Sequence, residues 1–252
     1  MQQVLKVLKI GGVFFQDQYM LPHITNIIRH EMDGGSKLMV VVSAMGHSTD
    51  NLLALMDGGR HNPVSRDMLL STGETVAAAL LADALVKDGV LAQPFTGGQS
   101  GIVTDGRFGD ASITDIKTER LRKFLKKNDV AVVAGFQGET KSGDITTLGR
   151  NGSDTTAFYL TYYFNALSCT LYKDVNGVYD KNPKDHPDAR LYRYLNYKDV
   201  LNGETSGIIH EKALKLCGKM FAEQNPEIII RNFNLSQTQF TTICKKQTEF
   251  YK

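Results

Sequence analysis

Short apolar runs alternate with longer amphipathic segments along most of the chain. Each run is rich in β-branched or aromatic residues and ends near Gly, Asn or Asp, which is typical of buried strands. The runs predicted as strands are 4–10, 37–44, 129–136, 168–175 and 227–233. Because helix-length segments separate them, the pattern predicts an α/β fold whose mostly parallel sheet is covered on both faces.

Two of the intervening segments have helical features. Residues 73–89 are rich in Ala and Leu and end at a glycine, as a buried helix does. Glu74 would then stand in the first turn of that helix, where a negative charge is favourable. Residues 113–127 place five apolar side chains on one helical face: Ile113, Ile116, Leu121, Phe124 and Leu125.

Two glycine-rich polar stretches, 96–110 and 137–152, interrupt this alternation. They predict hairpins or long loops, which often carry the function of α/β proteins. No composition shift marks a linker, so we expect a single domain over 1–252. Two lobes, about 1–150 and 151–252, are expected to hold the acceptor and the nucleotide respectively, as the resemblance described below implies.

Composition narrows the function class. The chain has 252 residues, 42% of them hydrophobic and 22% charged, which is ordinary for a globular protein. The formal net charge of +2, without any run of Lys and Arg, argues against nucleic acid as the main partner. The amino terminus lacks a signal sequence and no stretch was expected to reach the length of a membrane span, which predicts a cytoplasmic protein with no membrane partner.

The cysteines support the same location. Cys169, Cys217 and Cys244 are odd in number and widely spaced, so they predict reduced thiols rather than disulfides or a zinc site.

Glycine turns after predicted strands are candidate anion sites. Lys9 precedes Gly11 and Gly12, and glycine lets backbone N–H groups approach a phosphate while the lysine supplies a mobile charge. The P-loop and dinucleotide motifs are absent from the sequence. Taken alone, this turn is equally typical of an ordinary strand end.

The segment 143–160, GDITTLGRNGSDTTAFYL, carries more information. Ser153 and Asp154 stand at an expected helix start, where Ser153 could be only an N-cap. Arg150, at a glycine turn beside that helix, is suited to a carboxylate ligand. If Glu74 binds an ammonium instead of serving the helix dipole, the pair defines an amino-acid site.

At this point the sequence resembles the aspartate kinases, a family of the amino acid kinase superfamily. The resemblance covers residues 5 to about 240 and is most specific from Gly135 to Ala157. It rests on motifs that occur in the family's order: KIGG, VVSAMGHSTDNLL, DMLLSTGE, FTGGQSGIVTDGRFGDASI, GFQGETKSGDITTLGRNGSDTTA and KDVNGVYDKNPK. It implies a three-layer α/β/α sandwich.

The resemblance also implies an activity. It implies transfer of the γ-phosphoryl group of ATP, with Mg²⁺, to the β-carboxylate of L-aspartate, by positioning and charge neutralisation. Lys9 would stabilise the phosphoryl group and Asp154 would orient Lys9, because a carboxylate nucleophile has no proton to lose at neutral pH.

The same resemblance implies which other residues touch the substrates, and it assigns no residue to a metal. Those expected to bind the acceptor are Ser43, Thr49, Glu74, Arg150 and Ser153. Those expected to bind the nucleotide are Gly11, Gly12, Lys173, Asp174, Tyr179, Lys184 and Lys212.

Three departures from the family pattern stand out. Gly207 replaces a lysine that reaches the ATP phosphates, although His210 is kept, so we expect Lys173 or Lys212 to substitute for it. Val13 and the two residues after it replace hydroxyls that follow the glycine pair. The chain ends soon after the kinase region, which predicts a catalytic domain without regulatory domains and without feedback inhibition by lysine or threonine.

A homodimer is the expected assembly. Two alternatives to an aspartate kinase remain at this stage. One is a related kinase acting on a different amino acid or carboxylate, favoured by the altered residues at Val13 and Gly207. The other is a non-catalytic binding subunit, favoured by the missing lysine.

Overall fold

The computed structural model describes residues 4–16, 18–56, 59, 61–183, 185–202 and 211–251. The strands, in chain order, are β1 (Leu5–Ile10), β2 (Lys37–Val42), β3 (Ala92–Phe95), β4 (Ile102–Thr104), β5 (Ile113–Ile116), β6 (Val130–Ala134), β7 (Gln137–Glu139), β8 (Ile145–Thr147), β9 (Ser168–Lys173), β10 (Tyr192–Asn196), β11 (Glu227–Asn232), β12 (Phe240–Cys244) and β13 (Glu249–Phe250). The α-helices are α1 (Leu21–Glu31), α2 (Ser48–Ala54), α3 (Pro63–Lys87), α4 (Glu119–Leu125), α5 (Gly152–Phe164), α6 (Tyr197–Leu201) and α7 (Glu211–Glu223).

A large, mostly parallel sheet runs through the molecule, as predicted. Its strand order is β13-β10-β12-β11-β9-β1-β2-β6-β3. All pairs from β11 to β3 are parallel, and only the β11–β12 and β10–β13 pairs are antiparallel. The apolar runs predicted as strands form β1, β2, β6, β9 and β11, so those predictions are confirmed.

Helices cover both faces of this sheet. Val7, Met39 and Val41 point into one apolar layer, which also contains residues of α5 and α7. Their neighbours Leu8 and Val40 point into the opposite layer, with residues of α1 and α3. Alternation along a strand therefore fills two cores, and each fully buried aliphatic side chain contributes about 1.5–3 kcal/mol. The three-layer α/β/α sandwich is confirmed.

A smaller sheet, in the order β5-β4-β7-β8, is built from the two glycine-rich stretches and the segment after the first of them. Gln137–Glu139 and Ile145–Thr147 form an antiparallel hairpin, as expected for residues 137–152. The hairpin brings the start of α5 next to the carboxyl ends of the main-sheet strands.

The helix predicted over 113–127 is wrong in its first part. Ile113 and Ile116 belong to strand β5, and only Glu119–Leu125 is helical. A register shift in the β4–β5 pairing skips Thr114, so both isoleucines are buried although they are three residues apart. Because of this bulge, two buried strand residues have the three-residue spacing that is typical of a helix face.

The helix predicted to start near residue 73 begins ten residues earlier, at Pro63. Asn62 accepts a hydrogen bond from the Val64 amide at 3.0 Å, and proline suits the first helical position. Glu74 therefore lies inside α3, and its first-turn interpretation is wrong.

Helix α3 is also long and apolar enough to cross a membrane by length and composition, contrary to the sequence expectation. Half of its most apolar stretch is buried inside the fold, where it packs against β3, β6 and β8. We therefore regard α3 as a core helix.

Candidate active site

The carboxyl ends of β1, β2, β6 and β9 lie at one edge of the main sheet, where ligands of open α/β sheets bind. A cavity of about 360 Å³ opens there. It is lined by Lys9, Gly12, Val13, Ser43, Ala44, Gly46, Thr49, Glu74, Phe136, Gly149, Arg150, Asn151, Gly152, Ser153 and Asp154. The cavity thus brings together eight of the residues that the sequence analysis assigned to the two substrates or to catalysis: Lys9, Gly12, Ser43, Thr49, Glu74, Arg150, Ser153 and Asp154.

Close packing explains the glycine after β1. A Cβ atom on Gly12 would lie 2.1 Å from the carbonyl oxygen of Ala44, so a larger residue would push the β1 and β2 turns apart. The Gly46 amide donates to the Gly12 carbonyl at 3.0 Å. A Cβ on Gly11 would meet only the Lys9 ammonium at ordinary contact distance, 3.5 Å, and two ring carbons of Phe14. Gly11 lies beside Lys9 but does not line the cavity.

One buried carboxylate holds two ammonium groups at the centre of the site. Lys9 Nζ lies 2.9 Å from Asp154 Oδ1, and Lys173 Nζ donates to Asp154 Oδ2 at 2.8 Å. The Asp154 side chain is only 4% exposed. Burial by itself would raise its pKa, but the charges of Lys9 and Lys173 outweigh burial and hold the pKa below its usual range.

This cluster has an excess positive charge. Two ammoniums face one carboxylate, and the Arg150 guanidinium lies across the same cavity. Arg150 is exposed and forms no ion pair within the described residues. A site with this balance favours an anionic ligand.

Glu74 supplies a second buried carboxylate to the lining of the cavity. The residue is 4% exposed, and its Oε1 accepts a hydrogen bond from the Ala44 amide at 3.0 Å. Its Oε2 is buried and has no hydrogen-bond partner in the described parts of the chain. Burial raises the pKa of Glu74 to about 7, opposed in part by the Ala44 amide. A buried acceptor without a partner points to a donor supplied by a ligand.

Local packing brings Glu74 to this position. A Cβ on the preceding Gly73 would lie 2.8 Å from the Cβ of Ala44. The small residues let α3 approach the turn after β2, so the Glu74 carboxylate reaches the Ala44 amide.

Two cavity residues escaped the sequence analysis. Phe136 (φ 67°) and Asn151 (φ 55°) have left-handed backbone conformations, which are rare for a residue such as phenylalanine. Such strain often accompanies functional sites. Phe136 is the second residue after β6 and Asn151 directly precedes α5, and these positions were the signal that could have identified them.

Most of the residues predicted to bind the nucleotide do not line the cavity. Lys173 contacts Asp154, but neither it nor Asp174 nor Tyr179 lines the cavity. Tyr179 forms an isolated bridge with Leu191. Lys184, Gly207 and His210 lie outside the described residues.

Lys212 is placed differently from the prediction. Its ammonium donates to the carbonyls of Asp110, Ala111 and Leu148 and to the Asp110 carboxylate. These contacts are on the smaller-sheet side and not at Asp154. The structure therefore does not support Lys212 as the substitute for the missing lysine.

The described residues do not form a magnesium site of their own. No group of three His, Cys, Asp or Glu side chains in the described ranges could hold a metal ion, and Asp154 is occupied by two lysines.

The chain is similar to known proteins over most of its length. The sequence profile of the amino acid kinase family matches residues 5–232. An aspartokinase of Thermus thermophilus is 42% identical over 214 residues, which cover 83% of this chain and 53% of that protein. Aspartokinase 2 of Bacillus subtilis is 36% identical over 248 residues, or 97% of this chain and 59% of that protein. The chain spans little more than half the length of these relatives.

Solved structures show the same fold. Escherichia coli aspartokinase III in complex with aspartate and ADP superposes with a TM-score of 0.83 at 22% identity, over 96% of this chain and 65% of that chain. Aspartate kinase from Synechocystis superposes with a TM-score of 0.81 at 30% identity, over 96% of this chain and 40% of that chain. The UMP kinase of Bacillus anthracis has a TM-score of 0.69 at 17% identity, over 98% of both chains.

Proposed function

Because the chain belongs to the amino acid kinase family, we propose that it transfers the γ-phosphoryl group of ATP to the β-carboxylate of L-aspartate, giving 4-phospho-L-aspartate. The relatives of highest identity described above are named aspartokinases. Since the chain spans only about half of their length, their activity is a proposal for this chain and requires a direct test.

The buried carboxylate of Glu74 carries the proposal. Its Oε2 has no partner in the described residues, and the cavity that Glu74 lines is also lined by Arg150, Lys9 and Asp154. Lys173 lies behind this lining, on the Asp154 carboxylate. An amino acid with a second carboxylate matches this arrangement: its ammonium binds Glu74, its α-carboxylate binds Arg150, and its side-chain carboxylate faces Lys9. A phosphate acceptor would instead bring negative charge to Glu74, which disfavours the reactions of the UMP kinase neighbours.

Thr49 and Ser43 are proposed to hold the acceptor from the β2 side. Both line the cavity, and Ser43 directly follows β2. Ser153 lies in the first turn of α5, where helix amides favour an anion. These groups fix the acceptor relative to Lys9, and positioning is the main contribution proteins make to phosphoryl transfer.

The reaction needs no general base. An oxygen of the ionised β-carboxylate attacks the γ-phosphorus, the bond to the bridging β–γ oxygen breaks, and ADP leaves with that electron pair. Lys9 stabilises the charge that develops on the phosphoryl oxygens. Asp154 orients Lys9 and stays ionised, because the two lysines keep its pKa low.

We propose that Lys173 provides the second positive charge on the nucleotide side. Lys173 shares the Asp154 carboxylate with Lys9, whereas Lys212 is bound to carbonyl groups elsewhere. Gly11, Gly12, Asp174, Tyr179 and Lys184 complete the proposed nucleotide site, with Gly12 allowing backbone amides to approach the phosphates. Mg²⁺ would enter with ATP, because phosphate oxygens are its usual ligands in such sites.

A cytoplasmic homodimer completes the proposal. Helix α3 exposes several large apolar side chains: Met68, Val76, Leu80 and Val86. Such a surface supports self-association, and light scattering of the purified chain would test it.

The test of the proposed function is ATP turnover with L-aspartate, Mg²⁺ and hydroxylamine, which converts an acyl phosphate into a coloured hydroxamate. Glutamate, N-acetyl-L-aspartate and succinate serve as comparison acceptors, because the last two lack the ammonium that Glu74 is proposed to bind. Hydroxamate with aspartate, and little with the two analogues that lack an ammonium, is the expected result.

Other outcomes separate the alternatives. Product from a different acceptor would make the chain a related kinase of other specificity. Nucleotide binding without turnover of any acceptor would make it a non-catalytic subunit.

A further inference from the structure

The ammonium of Lys212 links helix α7 to the loop that carries Arg150. Its side chain is 19% exposed, although lysine is ordinarily a surface residue. It donates to the Leu148 carbonyl at 3.0 Å, the Ala111 carbonyl at 3.0 Å and the Asp110 carbonyl at 3.1 Å, and it pairs with the Asp110 carboxylate. An ammonium has three protons, so these four acceptors use its full donor capacity.

The carbonyl of Leu148 is the important acceptor, because Leu148 precedes Gly149 and Arg150 directly. Gly149 has φ 79°, and a Cβ there would lie 2.8 Å from Asp110 Oδ1. Lys212 therefore ties the backbone directly before the Arg150 turn to Asp110, whose carboxylate lies against Gly149.

A buried carboxylate of α3, Asp67, holds the residue before Leu148. Asp67, fully buried in α3, accepts hydrogen bonds from the Thr147 amide at 2.7 Å, the Thr147 hydroxyl at 3.0 Å and the Gly109 amide at 2.8 Å. Residues 147 and 148 are thus held by two different helices, Thr147 by Asp67 of α3 and Leu148 by Lys212 of α7.

The Arg150 guanidinium itself lacks such support. Its side chain is exposed and has no ion pair among the described residues. Its position is therefore set by the backbone of the loop, and a shift of that backbone would move the guanidinium relative to Glu74 across the cavity. Geometry in phosphoryl transfer is sensitive to shifts of about 1 Å.

We propose that Lys212 is a positioning residue that holds the Arg150 loop in the geometry required for the acceptor, and that it makes no contact with ATP. This inference rests on the proposed function, because it assumes that Arg150 binds the acceptor carboxylate. It predicts that loss of the Lys212 ammonium weakens acceptor binding and leaves nucleotide binding intact.

The test compares Lys212→Met, which keeps the length and apolar stem, with Lys212→Arg, which keeps the charge and the donors. Lys219→Met is the matched control, since Lys219 is an exposed lysine on the same helix. Calorimetry measures the Kd of L-aspartate and, separately, of a non-hydrolysable ATP analogue with Mg²⁺.

For Lys212→Met we expect the aspartate Kd to rise about tenfold, as for the loss of charge-assisted hydrogen bonds, and the nucleotide Kd to change less than twofold. Lys212→Arg should recover most of the aspartate affinity, and Lys219→Met should match the unmodified chain. An unchanged aspartate Kd in Lys212→Met, or an equal loss of nucleotide affinity, would overturn the inference.

Hydrogen exchange tests the contact between Lys212 and the Arg150 loop independently of acceptor binding. The amides of residues 149–151 should exchange faster in Lys212→Met than in Lys219→Met, while the amides of α5 stay unchanged. If the unmodified chain binds nucleotide but not aspartate, the proposed function fails. Equal exchange in the two variants would show that Lys212 does not hold the Arg150 loop.

Discussion

At the scale of single residues, the site is governed by how buried charges are compensated. Asp154 is neutralised by Lys9 and Lys173, so its carboxylate stays ionised inside the protein. Glu74 accepts a hydrogen bond from the Ala44 amide, and its Oε2 has no partner among the described residues. Each oxygen of the Asp154 carboxylate lies beside an ammonium group, whereas Glu74 Oε2 has no such neighbour in the described residues.

The pH dependence of acceptor binding follows from Glu74. Its pKa is about 7, so the carboxylate gains a proton as the pH falls below that value and loses the charge that attracts an ammonium. We expect the KM for aspartate to rise as the pH is lowered from 8 to 6, by up to about tenfold per pH unit below the pKa. Hydroxamate assays across this range measure it.

Glu74→Gln is the corresponding variant. It should raise the KM at pH 8 and remove most of the pH dependence between 6 and 8, while the KM for ATP stays within about twofold. A pH profile identical to that of the unmodified chain would show that Glu74 does not bind the acceptor ammonium.

Lys173 gives a second prediction at this scale. Lys173→Met removes one of the two charges on Asp154 that face the proposed phosphate site, so the KM for ATP should rise roughly tenfold or more. Lys181→Met serves as the control, because Lys181 is exposed and pairs with Asp188. Equal ATP KM values for the two variants would assign the nucleotide charge to another residue.

At the scale of elements, the ends of strands and helices decide the shape of the cavity. The turns after β1 and β2 touch at Gly12 and Ala44, and α3 touches the β2 turn through Gly73. Asn151, in a left-handed conformation, starts α5 and directs its first turn toward Lys9. Each contact depends on a small or permissive residue at one position.

Gly12→Ala tests this contact. The added methyl would lie 2.1 Å from the Ala44 carbonyl oxygen, so the β1 turn must move away. We expect turnover to fall by about 100-fold or more and the free energy of unfolding to fall by about 1–3 kcal/mol. Gly11→Ala has room for its methyl and should keep the stability of the unmodified chain in the same denaturation experiment. Normal turnover in Gly12→Ala would contradict the packing argument.

At the scale of the whole molecule, the main sheet separates two apolar layers. Ile230, on β11, belongs to the layer with α5 and α7, and Ile27, on α1, belongs to the opposite layer. Both are fully buried. Among the described residues the two layers share no buried side chain, since each strand residue points to one face or the other.

Independent layers predict additive stability effects. Ile27→Val and Ile230→Val should each lower the free energy of unfolding by about 0.5–1.5 kcal/mol. The double variant should equal the sum of the two within about 0.5 kcal/mol, because the residues have no common neighbours. Urea denaturation of the four proteins measures this, and a larger deviation would mean that the layers are coupled through the sheet.

Local sequence patterns predicted five of the nine strands of the main sheet: β1, β2, β6, β9 and β11. The run 37–44 is apolar, short and rich in valine, and these three properties together favour a buried strand over a helix. The segment from Gly149 to Asp154 combines glycines, a guanidinium and a carboxylate at a helix start, and few soluble structures other than an anion site need that combination.

The tertiary structure alone decided which charges face each other. Lys173 and Lys212 are both basic residues near the expected nucleotide site, and only the pairing of β9 with β1 places Lys173 on Asp154. Glu74 acts as a buried carboxylate because α3 starts at Pro63 and packs on the turn after β2. Ile113 and Ile116 imitate a helix because a bulge shifts their register. In each case the deciding contact joins residues far apart in the chain, and local periodicity carries no information about such contacts.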